Sequence, residues 1–134
     1  MTDLSGVLDA SFMIRYLTGQ PPKTANLARE MIDSNLQLGV TDVGIVETAY
    51  VLTTVYRVSR EAVVDALAAL VQRRNIIPLG AEKEYMILGL LMCRKSARIS
   101  FGDALIWAAA RSRKVSVVYT FDERFPSDGI TRKP

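Results

Sequence analysis

Four acidic residues stand where the sequence gives an acid no obvious surface. Asp9 is the only charge between Leu4 and Ile14, and it ends an apolar run. Glu47 is the only charge from Val43 to Tyr56; its helical neighbours are Val43, Gly44, Tyr50 and Val51. Asp103 is the only charge from Ile99 to Ala110, with Ile106 and Trp107 three and four residues on. Asp122 follows the apolar, β-branched run Val115 to Thr120, with only Phe121 between. A buried carboxylate is costly unless it is paired or bound to a metal. Four of them gathered together make an all-oxygen donor set, which suits Mg²⁺ or Mn²⁺ rather than zinc or copper. Such a site fits phosphodiester hydrolysis, with metal-activated water and neutralised phosphate charge. Ser11 and Thr120 lie close enough in sequence to steady a water or a ligating oxygen.

Each acid also has a local explanation. Asp9 and Asp122 are acceptable turn residues leaving a strand. Asp103 completes a capping box with Ser100. Glu47 is explicable as a buried acid paired with an arginine. No arginine lies at helical spacing from Asp9, Glu47 or Asp103. The other acids (Glu30, Asp33, Glu61, Asp65, Glu82, Glu84) fall on polar helix faces or in first turns and read as solvated surface.

Composition narrows the chemistry. The 134 residues contain no histidine and one cysteine. Imidazole bases, Ser-His and Cys-His pairs and histidine zinc sites are therefore excluded, as is an intrachain disulfide. Cys93 sits among Leu90, Leu91 and Met92 and reads as core. Hydrophobic residues make up 49% and charged residues 23%, so a packed core is expected. No apolar run is long enough to span a bilayer and the first residues do not read as a signal peptide, which gives a cytoplasmic expectation with no membrane partner. The length suits a single domain over residues 1–134.

The elements that must position the acids alternate. Leu4 to Asp9, Leu38 to Thr41, Ile76 to Leu79 and Val115 to Thr120 read as short apolar strands, with a further short strand near Ile130. The proline in the third suits a sheet edge. Ser11 to Thr18, Lys23 to Gln37, Asp42 to Tyr56, Arg60 to Arg73, Glu82 to Lys95 and Ser100 to Arg111 read as helices, with Asp42, Ser59 and Ser100 as N-caps. This alternation predicts an α/β protein of three α/β/α layers around a parallel sheet covered on both faces. Ligand sites in such sheets form beyond the carboxyl ends of the strands. Asp9 and Asp122 leave strands at that edge; Glu47 lies in the second turn of its helix and Asp103 in the first turn of its own, so all four are expected to converge in one cleft.

At these residues the chain resembles a PIN-domain protein, and in size and layout the VapC toxins of toxin–antitoxin pairs. The motifs are Val-Leu-Asp9-Ala-Ser11, Ile-Val-Glu47-Thr-Ala-Tyr-Val-Leu52, Ile-Ser-Phe-Gly-Asp103-Ala-Leu-Ile and Tyr-Thr120-Phe-Asp122-Glu-Arg-Phe125. All four in order are specific. The resemblance implies an endoribonuclease on a Rossmann-like sheet of order 3-2-1-4-5, with Mg²⁺ or Mn²⁺ held by the four acids. It also implies an RNA substrate, a homodimer and a small VapB-like antitoxin that occludes the cleft.

Alternatives make different demands. A haloacid-dehalogenase-like phosphatase needs a second Asp two residues after the first, where Ser11 stands. A response-regulator receiver needs paired acids that are missing. A noncatalytic RNA-binding or protein-interaction module needs neither metal nor the acids. A housekeeping PIN nuclease of RNA processing shares the whole site with a toxin.

Three secondary expectations follow. Arg94, Lys95 and Arg98, and Arg111, Arg113 and Lys114, form two basic clusters that suit either helix C-termini or phosphate contact. Ile45, Val46, Ala49, Leu52, Val63, Val64, Leu67 and Leu70 exceed what one sheet-facing stripe needs, so part of that surface is expected to serve a dimer. Gathered, buried acids should have raised pKa values.

Overall fold

Strands of three residues and helices of nine to thirteen build the protein. The computed structural model describes residues 3–134. In chain order the elements are β1 (Gly6–Leu8), α1 (Ala10–Thr18), α2 (Pro22–Ile32), β2 (Leu38–Val40), α3 (Asp42–Thr54), α4 (Arg60–Gln72), β3 (Ile76–Pro78), α5 (Lys83–Lys95), α6 (Phe101–Ser112), β4 (Val117–Tyr119) and β5 (Thr131–Lys133). The expected α/β alternation with parallel pairing is present.

β1, β2 and β3 form one parallel sheet with β2 central, in register Leu8↔Val40↔Pro78. β2 is buried on both faces, as a covered parallel strand should be. β3 is the edge strand, where a proline at residue 78 removes no needed donor. β4 and β5 pair in parallel as a second sheet, with Thr120 N–H donating to Lys133 O and Thr131 N–H to Ser116 O. The expected single sheet of order 3-2-1-4-5 is not formed: β1-β2-β3 and β4-β5 are separate sheets, with no β1–β4 ladder among the described residues. Three-residue strands carry too few ladder bonds to enforce a seam by themselves. In consequence β1 is not doubly covered: Val7 is 57% exposed, and on β4 Tyr119 is 77% exposed.

α1 packs on α2 and α3, α3 on α4 and α6, α4 on α5, and α5 on α6, which in turn covers β4. The α5–α6 approach is close enough to need Gly89: a Cβ there would stand 2.8 Å from Ala104 O. The main cluster runs from Leu8 and Met13 through Ile45, Leu67 and Met86 to Trp107. Cys93 belongs to it, and burial pushes its thiol up to about 11. No helix among the described residues is long and apolar enough to cross a membrane.

Three expectations change. The helix expected over Lys23 to Gln37 runs only over Pro22–Ile32. The Asn75 side-chain amide, reaching in from the start of β3, donates to the carbonyls of Ile32, Ser34 and Leu36 and turns the chain out of the helix. The cap of α3 is Thr41, whose hydroxyl accepts from Gly44 N–H at 2.9 Å, and not Asp42, which is the first helical residue. The apolar residues assigned in part to a dimer face are core: Ile45, Ala49, Leu52, Val63, Val64, Leu67 and Leu70 are buried and Val46 half-buried. What α3 offers outward is Val43 and Tyr50, 75% and 64% exposed.

Candidate active site

Asp9 leaves β1 in extended conformation and caps α1. Its Oδ1 accepts from the Ser11 hydroxyl at 2.7 Å and from Phe12 N–H at 3.0 Å. The Ser11 hydroxyl and, after it, the Phe12 amide hold this carboxyl below the usual aspartate range. Asp9 is therefore both a turn residue and an ionised, solvent-facing oxygen donor. Ser11 steadies the acid itself.

Glu47 lies in the second turn of α3, one turn beyond Gly44. A Cβ at Gly44 would lie 3.1 Å from Thr41 Oγ1, 3.2 Å from Met13 Cε and 3.7 Å from Leu8 O, so the first turn of α3 rests against the end of β1 where Asp9 emerges. Glu47 is exposed, against the expectation of a buried acid, because Val43 and Tyr50 beside it also face solvent. Among the described residues its carboxylate has no hydrogen-bond or ion-pair partner.

Asp103 occupies the first turn of α6. Ser100 Oγ accepts from Asp103 N–H at 3.0 Å, but the reciprocal half of the capping box is not made. The cap is thus the work of Ser100, and the half-buried Asp103 carboxylate has no hydrogen-bonding duty among the described residues. α6 packs on α3, and a groove of about 460 Å³ there is lined by Val46, Tyr50, Thr53, Arg60, Phe101 and Gly102, of which Val46 and Gly102 are next in sequence to Glu47 and Asp103.

Asp122 follows β4, and its N–H donates to Thr120 Oγ1 at 3.0 Å. Its carboxylate accepts from Arg124 three times: from the backbone N–H at 2.8 Å, from Nε at 3.1 Å and from Nη2 at 3.4 Å. The Arg124 guanidinium holds Asp122 below the usual range, with the backbone bond and then Arg98 adding to it. Arg124 also lies within electrostatic reach of Asp103.

Asp9 and Asp122 follow the ends of β1 and β4, and the first turn of α3 rests against the exit of β1. Arg124, bound to Asp122, also feels the charge of Asp103. The four acids are not gathered: among the described residues no three acids or thiols stand together as a metal-holding group. The expectation of raised pKa values is corrected for Asp9 and Asp122, which are lowered because hydrogen-bond donors and a cation, rather than other carboxylates, are their nearest partners. In kind the donors fit a hard divalent cation, being oxygen ligands that are exposed at Asp9 and Glu47 and half-buried at Asp103 and Asp122, with Asp9 and Asp122 held ionised.

The counter-charge was the part that helical spacing missed, because Arg124 reaches Asp122 across a turn and Asp103 through space. Asp-x-Arg after a strand was its only signal. The basic clusters also divide: Arg94 binds Asp65 bidentately, while the charge of Arg98 acts on Asp122. Arg111 lies over the rings of Tyr85 and Trp107 and donates to Asp128 O, a packing role.

No curated protein matches the chain at significant similarity. A family model does match, that of the PIN domain, over residues 6–127. PIN domains are generally nucleases that use divalent metal ions, which makes nucleic acid the substrate class. By that match, which covers almost the whole of the sequence and all four acids, the chain belongs to the PIN domain family and carries its nuclease fold.

Proposed function

We propose that this chain is one nuclease domain over residues 1–134, an endoribonuclease that hydrolyses RNA phosphodiester bonds with Mg²⁺ or Mn²⁺ held by Asp9, Glu47, Asp103 and Asp122. The observation that carries the reading is Asp103: its capping position is filled by Ser100 alone, which leaves a half-buried carboxylate with no structural task at the mouth of the fold. When bound, the metal supplies an activated water and neutralises charge on the phosphate. The chain's own residues do the placing. Ser11 and the Phe12 amide fix Asp9 in its ionised form. Thr120 fixes the turn that presents Asp122. Glu47, free of protein partners among the described residues, can turn to hold the attacking water or take its proton.

The RNA preference, the toxin role and the VapB-like antitoxin rest on the motif resemblance, as does the cytoplasmic setting. A homodimer is part of the same reading, and Val43, Tyr50, Val55 and Tyr56, on and just after α3, are among the exposed apolar side chains that could serve it. The deciding experiment incubates the protein with matched RNA and DNA strands in Mg²⁺ or EDTA, beside the four single Asp→Asn and Glu→Gln variants. Cleavage of RNA only, only in Mg²⁺, and lost in each variant is the expected result. Metal-independent cleavage, or full activity in two of the variants, would sink it.

A further inference from the structure

Arg124 is paired with an acid of the candidate site. Its guanidinium grips both oxygens of Asp122, at 3.1 and 3.4 Å, and stands within electrostatic reach of Asp103 on another element. An ion pair of the same bidentate form joins Arg94 to Asp65, at 2.9 and 3.3 Å, on the outer faces of α4 and α5. There the only further acid in reach is Glu61. The two pairs have the same chemistry and opposite surroundings. At Arg124 the guanidinium is bound to one acid of the candidate site and feels the charge of a second.

We propose that Arg124 is a resident counter-ion of the acid site, displaced from Asp122 by the divalent cation and thereby freed to hold a backbone phosphate of the nucleic acid. This rests on the four-acid reading given above. Asp122 Oδ1 already accepts two hydrogen bonds and Oδ2 one, so a divalent cation at this carboxylate competes with the guanidinium for the same lone pairs and charge and weakens the Asp122–Arg124 bonds. The released side chain is planar, always charged and forked, the form that suits phosphate. It remains tethered two residues from a metal ligand, where the scissile phosphate must lie. The cation then passes from stabilising the empty site to gripping the substrate, and RNA affinity becomes coupled to metal.

The test measures Mn²⁺ affinity without RNA, by calorimetry, for the parent, Arg124→Gln, Arg94→Gln and Asp122→Asn. Arg124→Gln should bind Mn²⁺ severalfold more tightly, Arg94→Gln like the parent, and Asp122→Asn more weakly. A second measurement follows a single-stranded RNA oligonucleotide by anisotropy in Ca²⁺ across a salt series, its integrity checked on a gel. Losing one phosphate contact should reduce the salt slope by about 0.7 in Arg124→Gln, and Arg124→Lys should restore it. If Arg124→Gln binds Mn²⁺ no better than the parent while Asp122→Asn binds worse, the exchange is wrong and the acid site stands. An unchanged salt slope in Arg124→Gln overturns the phosphate role. If Asp122→Asn binds Mn²⁺ like the parent, the acid site itself is wrong and the exchange goes with it.

Discussion

α1 and α6 each begin beside an acid, Asp9 at the cap of one and Asp103 in the first turn of the other, and they use it differently. At α1 the acid is the cap: Asp9 Oδ1 takes the Phe12 amide that the first turn would otherwise leave without a partner. At α6 a serine is the cap, and the acid three residues on donates only its backbone N–H to it. One carboxylate holds the helix while facing the site; the other holds nothing. An acid in a first turn is favoured by the helix dipole in either case. What separates structure from chemistry is whether its oxygens are already engaged, and that can be read from variants that remove charge, shape or both.

The largest effect should come from removing charge alone. Asp9→Asn and Asp103→Asn keep size and, at Asp9, a capping oxygen. Loss of a ligand's supporting partner typically costs roughly 10–100-fold in metal affinity or activity, so loss of a ligand should exceed about 100-fold in metal-dependent cleavage. Both variants should remain folded by circular dichroism. Asp65→Asn, which breaks the outer ion pair with Arg94, should cleave at the parental rate. Comparable losses at Asp65 and Asp103 would mean that the assay reads net charge and not a site.

Removing shape as well should split the two helices. Asp9→Ala removes the cap and should cost about 0.5–2 kcal/mol by urea unfolding. Asp103→Ala should cost much less, while Ser100→Ala pays the capping cost of α6, again about 0.5–2 kcal/mol. If Asp103→Ala proved as destabilising as Ser100→Ala, the capping box would be complete in solution and Asp103 would have a structural task after all.

The positions of the acids were legible in the sequence because a lone charge inside an apolar stretch is a local signal, and so was the alternation that places Asp9 and Asp122 at strand ends. The strands' pairing partners were not. Apolar runs of similar composition, Leu4 to Leu8 and Val115 to Tyr119, say nothing about whether one ladder joins them, and here β1 and β4 are not joined. The end of α2 was hidden too, because it is set by Asn75, some forty residues away in the chain. Burial was misread on α3: Glu47 lacks polar neighbours on its helix, yet that face is open to solvent, with Val43 and Tyr50 exposed beside it.

α3 offers a smaller test of the same distinction, since an acid follows its cap directly. Thr41→Ala should cost about 0.5–2 kcal/mol, because its hydroxyl takes the Gly44 amide. Asp42→Ala should cost clearly less: its carboxylate reaches only Ala81 N–H, at a marginal 3.4 Å. Equal costs would return the capping role to Asp42.

The smallest effect concerns protons, and it reverses what gathered acids alone would give. Mutual repulsion would raise the folded pKa values and make metal-free stability fall as pH rises. Asp9 instead has a lowered folded pKa, through Ser11 and the Phe12 amide, and Asp122 through Arg124. A group whose folded pKa lies below its unfolded value, about 3.9 for aspartate, binds protons less readily when folded. Its contribution is therefore fully present above that value and is lost as pH falls through the lower, folded value. Water screens these exposed groups, so the change is modest. Urea unfolding of the metal-free protein should hold steady from neutral pH to about pH 5 and decline below about pH 4. Asp9→Asn, whose neutral amide cannot titrate, should show a shallower acid decline. Bound Mg²⁺ adds stability at neutral pH by binding the folded state, and the addition should fade over the same acidic range as protons compete for its ligands. If metal-free stability instead fell steadily from pH 4 to pH 7, and Asp9→Asn removed that fall, repulsion would outweigh the local donors. The caps and counter-ions described at Asp9 and Asp122 would then not be what sets their charge.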